Sequence, residues 1–483
     1  MRGPKLSGRL LRRVAIAGSV CALGALALGS ATAAPAAEDG LNVAGFFNTP
    51  AANASLYARI DQLHPAWVRV FVNWSSFEPT QGGYQVGQLA DYRAFFASLP
   101  AGTKVDVDVV LTPSWASGST NPAAPPSNPQ TYGAFVNYLA NAFGSSVTDW
   151  EIWNEEDDTG WWTGSAAQYV GILQAAYSSI KAVNPNATVL IGGLAANDFT
   201  YLQSIYSAGG RNYFDGVAVH TDDGCGGDAS PYKFILNAGA QTISGASFLG
   251  FTTVHSVMVG NGDATKPIVM TELGWSTAGK DSGCTADGKP FAGVSESDQA
   301  TYLKEAYHCL AQPQYSYVSA AIWFDMVDFG TASTIEDHYG LLTASLKTKP
   351  AFKAFEKESL DGDQLTGACG SFSGPQVTLL DPGQGKTYSG PLLLAVKAIG
   401  HGRPVRQIQL QHDGKTIMYF NTHDAHAAGD TLSGQLDWQG AKALSLGTHT
   451  ISAIATYVGG LSTTVSVTVV HVAAHKHKHH HHH

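Results

Sequence analysis

Apolar residues recur with two different periods along residues 41–358, and the two periods alternate. Short apolar or alternating runs, typical of strands, are predicted at residues 43–47, 67–72, 104–111, 149–154, 188–192, 216–220, 267–272 and 320–324. Helical spacing fills the intervals, at residues 54–63, 89–98, 129–143, 166–183, 201–208, 230–259, 295–311 and 351–357. Eight strand–helix repeats predict a closed (β/α)8 barrel, an α/β fold. A doubly wound open sheet is the alternative, but no glycine-rich nucleotide loop follows the first strand.

The pattern changes after the barrel region. Residues 359–374 are rich in Gly, Ser and Asp and are predicted to be a linker. Residues 375–472 then show period-two alternation, with strands predicted at 377–380, 392–398, 406–412, 415–420, 448–457 and 462–470. This pattern predicts a small all-β, immunoglobulin-like sandwich as an accessory domain, without the Cys–Trp–Cys spacing of antibody domains. Residues 473–483 form a His-rich tail, either native or an expression tag.

The N-terminus is typical of a secretory signal peptide. Five basic residues precede an apolar run at residues 14–28, which is short for a bilayer span of about 20 residues. Ala31-Thr32-Ala33 then provides a small-x-small cleavage site. A membrane anchor is the alternative for this segment. We expect residues 1–34 to be removed and the mature protein to be secreted, with no insertion into a membrane.

Charge content bears on the class of binding partner, and cysteine content bears on disulfide formation. Charged residues make up 14% of the chain. Without residues 1–34 there are 23 basic and 38 acidic residues, which argues against a nucleic-acid partner. Four cysteines remain, and an even number in an exported chain suggests two disulfides with three possible pairings. We expect Cys225–Cys284 and Cys309–Cys369, and we expect a monomer.

Two glutamates close predicted strands at the same end of the barrel. Glu155 ends the fourth strand in the sequence Trp153-Asn154-Glu155, and Glu272 ends the seventh in Thr271-Glu272-Leu273-Gly274-Trp275. In (β/α)8 barrels the catalytic groups gather where strands end and βα loops begin. Cleavage of an acetal between sugars needs one carboxyl group on each side of the bond. The pattern therefore predicts glycoside hydrolysis, without a metal or organic cofactor.

These two motifs, on eight βα repeats, resemble glycoside hydrolase clan A, most closely the cellulase-like families 5 and 39. The resemblance covers residues 41–357. It implies that Glu155 is the acid/base and Glu272 the nucleophile of a retaining reaction on β-linked saccharides. The family pattern normally has Pro after the acid/base, where this chain has Glu156.

The resemblance also implies a set of substrate-binding residues. Asn154 matches the amide that binds the sugar 2-hydroxyl, and Arg69 matches the arginine that keeps the nucleophile ionised. His220 at the end of the sixth strand lines such sites, and Trp323 matches the aromatic platform. Aromatic rings at other strand ends extend the candidate set to Trp275 and Trp115.

Each of these residues also has a structural interpretation. Glu155 could be a carboxylate at a helix N-terminus, Arg69 part of a buried ion pair, His220 a structural histidine, and the tryptophans core. Trp161 and Trp162 follow an acidic turn and could stack on sugars. At the level of function, the alternatives are a carbohydrate-binding scaffold that has lost catalysis, and a transglycosylase.

Overall fold

In the computed structural model, the described residues are 36–43, 53–221, 230–232, 243–286, 289–329, 334–366, 369, 375–400, 405–421, 426–428, 431–457 and 462–474. Side chains of residues 281–291, 426–428 and 457 are outside this description. The predicted signal peptide and residues 475–483 of the His-rich tail also lie outside it. No helix among the described residues combines the length and apolarity needed to cross a membrane.

Eight parallel strands form the barrel, and they run in chain order with one hairpin inserted. The strands are β1 (Glu38–Asn42), β2 (Trp67–Asn73), β3 (Lys104–Val110), β4 (Asp149–Asn154), β5 (Thr188–Gly193), β6 (Val217–His220), β7 (Ile268–Leu273) and β10 (Val318–Trp323). The hairpin after β7 consists of β8 (Lys280–Ala286) and β9 (Lys289–Ala292). The sheet order is β5-β4-β3-β2-β1-β10-β7-β6, and parallel bridges Leu190–Gly216 and Leu194–Val219 join β5 to β6. The predicted barrel is therefore confirmed.

Helices cover the outside of the barrel. They are α1 (Ala54–Leu63), α2 (Trp74–Phe77), α3 (Val86–Ser98), α4 (Ser114–Ser117), α5 (Pro129–Phe143), α6 (Ala166–Val183), α7 (Phe199–Ser207), α8 (Phe251–Gly260), α9 (Glu296–Leu310) and α10 (Pro350–Asp361). Local sequence sets their starts: Asn128 caps α5 ahead of Pro129, and Ser165 with Gln168 forms a capping box on α6. Their apolar faces pack on the outward side chains of the strands in one large core.

The barrel interior has an apolar floor and a charged upper layer. Trp67, Val269 and Ile322 belong to a small separate apolar cluster that draws on five strands. Two residues further along β2 stands Arg69, whose partners in register on β3 and β4 are acidic. The charged layer thus lies between the floor and the carboxyl ends of the strands, where the predicted catalytic groups are.

The C-terminal region is all-β, as predicted, and consists of two sheets. One sheet has the order β11-β13-β17-β16 and the other β12-β19-β18-β14-β15. The strands are β11 (Gln376–Asp381), β12 (Lys386–Tyr388), β13 (Leu392–Ile399), β14 (Val405–His412), β15 (Lys415–Asn421), β16 (His426–Ala428), β17 (Thr431–Trp438), β18 (Gly447–Tyr457) and β19 (Ser462–His471). Their inward side chains form a core of their own. The domain boundaries remain predictions.

Several elements differ from the prediction. The first strand spans Glu38–Asn42, and its charged start at the barrel floor is satisfied by Trp67 and Lys104, which both donate to Glu38. Of the strand predicted at residues 43–47, Val43 follows this strand, and residues 44–47 lie outside the described residues. Within the helix predicted over residues 230–259, residues 244–250 form turns and a short 3-10 segment, α8 spans Phe251–Gly260, and residues 233–242 lie outside the described residues. Strands β8, β9, β12, β16 and β17 were not predicted.

One predicted disulfide, Cys309–Cys369, is present, and it ties the end of α9 to the segment after α10. The other predicted pair is Cys225–Cys284. Cys225 lies outside the described residues, and so does the side chain of Cys284. That pair therefore remains a prediction.

Candidate active site

The alternation of inward and outward side chains along β4 breaks at Trp153, one residue before Asn154. Glu151 faces the barrel interior, so strict alternation would also turn Trp153 inward. Trp153 instead adopts a left-handed backbone conformation with φ 75°, and its indole packs outward against Tyr132 and Trp162. Asn154 consequently points inward, where it contacts Arg69.

Arg69 is the centre of the charged layer and is fully buried. Its Nη1 donates to Glu272 Oε1 at 2.7 Å, and its Nε donates to Glu151 Oε2 at 2.5 Å. Its Nη2 donates to Asp108 Oδ2 and to Asn154 Oδ1, both at 3.0 Å. One rigid guanidinium on β2 therefore positions groups from three other strands, including Glu272 and Asn154.

Two members of this layer were not predicted to belong to the site. Glu151 accepts from Arg69 and from Thr271 Oγ1, the latter at 3.0 Å, and Asp108 bonds to the other side of the guanidinium. Burial is the largest cause that raises the pKa of Asp108, followed by the charge of Glu151. The signal was in the sequence: β3 and β4 each place two acidic residues two positions apart, on one strand face.

His220 links the two predicted catalytic glutamates. Its Nδ1 lies 2.8 Å from Glu155 Oε1, and its Nε2 lies 3.6 Å from Glu272 Oε1. Its ring fits against β5 only because residue 193 is Gly: a Cβ there would come within 2.0 Å of His220 Nε2. Burial lowers the pKa of His220, which favours the neutral imidazole.

The carboxyl groups of Glu155 and Glu272 face each other closely. One carboxylate oxygen from each, together with a His220 nitrogen, lies within 4.8 Å of the others. Glu155 keeps 21% of its side chain exposed, whereas Glu272 keeps 8%. The more accessible carboxyl is therefore the one on the βα loop, and the more buried one is held by Arg69.

The environments of the two glutamates differ in a way that suits different roles. Burial, reinforced by the charge of Asp158, raises the pKa of Glu155 to about 7. Burial also raises the pKa of Glu272, but the positive charge of Arg69, and that of His220 when it is protonated, oppose that rise. We had expected Arg69 to lower this pKa outright. The contact is present, but desolvation outweighs it.

Asp158 offers a direct test of the Glu155 environment. Because its negative charge favours protonated Glu155, Asp158→Asn should lower the pKa of Glu155 from about 7. We expect the alkaline limb of the pH profile of kcat/KM to move to lower pH, with kcat at pH 5 changed less than about twofold. The Asn side chain can still accept from Gly160 N–H, which Asp158 Oδ1 caps at 2.6 Å. An alkaline limb that does not move would contradict the coupling.

Glu156, which departs from the family pattern, does not face the site. Its carboxyl is buried on the outer side of β5, where a Cβ on Gly192 would come within 2.2 Å of its Oε2. Burial, and then the charge of Asp157, raise its pKa well above the usual range. Glu156 is therefore a buried packing group outside the site, and Asp158 is the charged neighbour that contributes most to raising the pKa of Glu155.

Of the three predicted tryptophans, two are buried and one is half-buried. Trp323 is fully buried and donates to Tyr339 O, and Trp275 is buried with its ring 6.1 Å from that of Trp323. Trp115 is half-buried and donates to Glu78 O. The rings of Trp323 and Trp275 are therefore enclosed by protein, and the sugar-binding role of all three tryptophans remains a prediction.

Trp161 is the better candidate for an aromatic platform among the described residues. Its indole stacks on Phe71, with ring centroids 6.3 Å apart and an interplanar angle of 11°. The opposite neighbour of Phe71 is the Arg69 guanidinium, 4.4 Å from the ring centroid. Trp161 is half-buried, whereas Trp162 is buried. The pair Trp161–Phe71 therefore joins the charged layer to the rim.

The chain matches no model of a known protein family and no curated protein. It is similar in structure to several solved glycoside hydrolases. A family 39 enzyme from Bacteroides cellulosilyticus WH2 is 19% identical with a TM-score of 0.53, covering 83% of this chain and 79% of that one. A family 39 β-xylosidase from Caulobacter crescentus is 16% identical with a TM-score of 0.50, covering 84% and 98%.

A third similar structure comes from family 5. The GH5_18 protein from Streptomyces cattleya, solved in complex with GlcNAc, is 15% identical with a TM-score of 0.50, covering 69% of this chain and 82% of that one. At these identities the likeness establishes fold, and activity has to be argued from the site. The chain has the fold of clan A glycoside hydrolases, as its two glutamate motifs predict.

Proposed function

We propose that this protein is a secreted, retaining glycoside hydrolase that cleaves β-linked poly- or oligosaccharides. The observation that carries the proposal is the pair Glu155 and Glu272, which approach within 4.8 Å across His220 at the carboxyl ends of β4 and β7. Hydrolysis with retention needs two carboxyl groups about 5–5.5 Å apart, whereas inversion needs about 6.5–9.5 Å. The short approach favours retention.

Each role follows from the local environment. Glu272 is the nucleophile, because it is buried, fixed by Arg69 and kept near two positively polarised donors. It attacks the anomeric carbon, and the bond to the leaving-group oxygen breaks as Glu155 donates its proton. In the second step Glu155 takes a proton from water, which attacks the same carbon and releases Glu272. A pKa of about 7 lets Glu155 serve as acid and then as base.

The remaining contacts position the sugar and the acid. Asn154 accepts from Arg69 through Oδ1, which leaves Nδ2 to donate to the 2-hydroxyl of the reacting sugar. His220 orients Glu155 through Nδ1. Trp161 supplies an apolar ring of the kind that stacks on sugar faces. These assignments use groups of the chain itself, and we propose that no metal or organic cofactor takes part.

Replacing Glu155 by Ala tests the acid/base assignment. The variant should lose about 10²- to 10⁴-fold in kcat/KM on natural saccharides, the usual contribution of a positioned proton donor. Aryl glycosides with an acidic leaving group should still glycosylate Glu272. Azide should then accelerate turnover and give a glycosyl azide of retained configuration, detected by mass spectrometry and NMR.

Asp157→Asn is the matched control for azide rescue. Asp157 lies two residues further along the same loop and accepts from Ala195 N–H, a contact that Asn can keep. It should show neither the leaving-group dependence nor the response to azide. If Glu155→Ala behaves like this control, Glu155 is not the acid/base.

Assays on one panel of saccharides would identify the substrate class and would also distinguish hydrolysis from the two alternative functions. β-Xylosides and GlcNAc-containing β-glycans come first, because the similar structures include a β-xylosidase and a GlcNAc complex. Release of reducing sugar supports hydrolysis, and transfer to an added saccharide acceptor supports a transglycosylase. Binding without any product would support a carbohydrate-binding scaffold.

Two features support secretion. Residues 1–34 have the basic, apolar and small-residue segments of a signal peptide. The disulfide Cys309–Cys369 also supports export, because disulfides form and persist mainly in the oxidising compartments that exported proteins reach.

A further inference from the structure

Three ligand-type atoms converge at one rim of the C-terminal sandwich. His412 ends β14, Asp413 begins the turn to β15, and His449 stands on β18. His412 Nε2 lies 3.0 Å from His449 Nδ1, and Asp413 Oδ2 lies 2.9 Å from each of these nitrogens. The three atoms therefore form a nearly equilateral triangle.

Hydrogen bonding outside the triangle leaves a lone pair of the neutral His449 ring directed into it. His449 Nε2 lies 2.9 Å from Ser445 O, a carbonyl that can only accept, so Nε2 carries the proton. In the neutral ring His449 Nδ1 then has a lone pair, which faces the acceptor Asp413 Oδ2. Acceptors at 2.9 Å repel each other unless a cation lies among them. A carbonyl that fixes the tautomer of a ligating histidine is common around metal sites.

The carboxylate is held in place independently of the histidines. Asp413 Oδ1 accepts from Thr450 N–H at 2.7 Å, and Asp413 N–H donates to Thr450 O at 2.9 Å. Its backbone is left-handed, with φ 44°. The His412 ring packs beside Trp438, with centroids 5.3 Å apart. Strand β14 with its following turn, and strand β18 of the same sheet, thus hold the three possible metal-ligand atoms in fixed positions.

From this geometry we propose that His412, Asp413 and His449 bind a divalent transition-metal ion, with Zn²⁺ as the natural probe. Metal–nitrogen and metal–oxygen bonds of about 2.0–2.2 Å give neighbouring ligands separations of about 2.9 Å in an octahedron and about 3.4 Å in a tetrahedron. The observed distances of 2.9–3.0 Å between the three ligand atoms match an octahedral ion. A tetrahedral ion would need these atoms to move apart only slightly. Two imidazoles and one carboxylate favour such metals over Mg²⁺ or Ca²⁺.

The site is open on one side, which allows the ion to enter and keep water ligands. His449 is nearly buried, whereas 45% of the Asp413 side chain is exposed. The bound ion would join the turn between β14 and β15 to β18. Its role is therefore to brace this rim of the sandwich, and it is independent of the catalysis proposed for the barrel.

The test needs a background without the His-rich tail's own affinity for metals. We would use the full chain with the seven histidines of residues 475–483 replaced by Ser, stripped with a chelator. Titration with Zn²⁺ at pH 7.5 should show one equivalent that His412→Ala and His449→Ala each weaken about 100-fold or more. Co²⁺ should give visible d–d absorption with the tail-substituted protein but not with its His412→Ala or His449→Ala variants. Zn²⁺ should raise the Tm of the tail-substituted protein.

Two further variants keep the test decisive if an alanine variant unfolds. Asp413→Asn removes the charge but retains an acceptor for Thr450, and it should also lose the Zn²⁺ equivalent. Asp437→Asn changes an exposed carboxylate on β17 outside the cluster and should bind as the background does. If the background binds no equivalent that depends on these three residues, the cluster holds a proton rather than a metal, and the proposal is wrong.

Discussion

Glu272→Gln should abolish glycoside turnover while leaving the protein folded. Loss of a covalent nucleophile lowers kcat on the order of 10⁵-fold or more in hydrolases whose catalytic residues act as a unit. Gln keeps an oxygen that can accept from Arg69 Nη1, so the contact at 2.7 Å can persist. Because it also removes one of several carboxylates that share a single guanidinium, we expect Tm to stay equal or rise.

Initial rates on the best substrate of the panel, together with thermal melts, would measure both effects. Glu296→Gln is the matched control, since Glu296 is exposed in the first turn of α9. It should retain full activity. Activity of Glu272→Gln within about tenfold of the parent would contradict the nucleophile assignment, provided that the sample is free of deamidated enzyme.

Arg69→Met should destabilise the barrel strongly. The change leaves Asp108, Glu151 and Glu272 without their shared cation in a buried layer. Removal of one partner from a buried ion pair costs about 3–5 kcal/mol. The orphaned carboxyls would then have raised pKa values. Their protonation restores stability at low pH, and the cost should therefore be smaller at pH 5 than at pH 8.

Urea unfolding at the two pH values would measure this difference, and Arg211→Met provides the control. Arg211 also pairs with a carboxylate, Asp263, but half of its side chain is exposed, and Lys266 remains as a second cation 3.0 Å from that carboxylate. We expect a cost of about 0–1 kcal/mol there. An Arg69→Met protein as stable as the parent at pH 8 would show that the guanidinium does not compensate the carboxylates.

The grouping of the candidate site residues could be predicted from sequence because parallel strands end on one rim. It was enough to know that four different strands carry or end at Arg69, Asn154, Glu155, His220 and Glu272. The structure does so through contacts of 2.7–3.6 Å. The fold class followed from the same repeat of strands and helices.

The aromatic residues could not be placed in this way, because a strand end does not fix which way a ring turns. Trp153 turns outward through a left-handed residue, and Trp323 turns into the core, where its indole finds a backbone acceptor. Tryptophan at a strand end is equally compatible with core and with site. The position of a ring at a strand end therefore does not decide whether it binds sugar.

Elements with weak or misleading periodicity were also missed. The segment 230–259 has helical spacing over 30 residues, yet its described residues 244–250 form turns and a short 3-10 segment, and helix α8 begins at Phe251. Strand β17 contains Gly434 where alternation would place a larger side chain, because the Phe420 ring occupies that space: a Cβ would lie 2.3 Å from it. Long-range packing set these elements, and local sequence does not encode such contacts.

The most direct test of the proposed mechanism is to trap its covalent intermediate. An activated 2-fluoro glycoside of the sugar that the panel identifies should accumulate the glycosyl-enzyme, because the fluorine slows both steps while the good leaving group spares the first. Peptide mass spectrometry should then find one sugar attached to Glu272. A label on Glu155, or inverted product in the first turnover read by NMR, would contradict the assignment of Glu272 as nucleophile of a retaining enzyme.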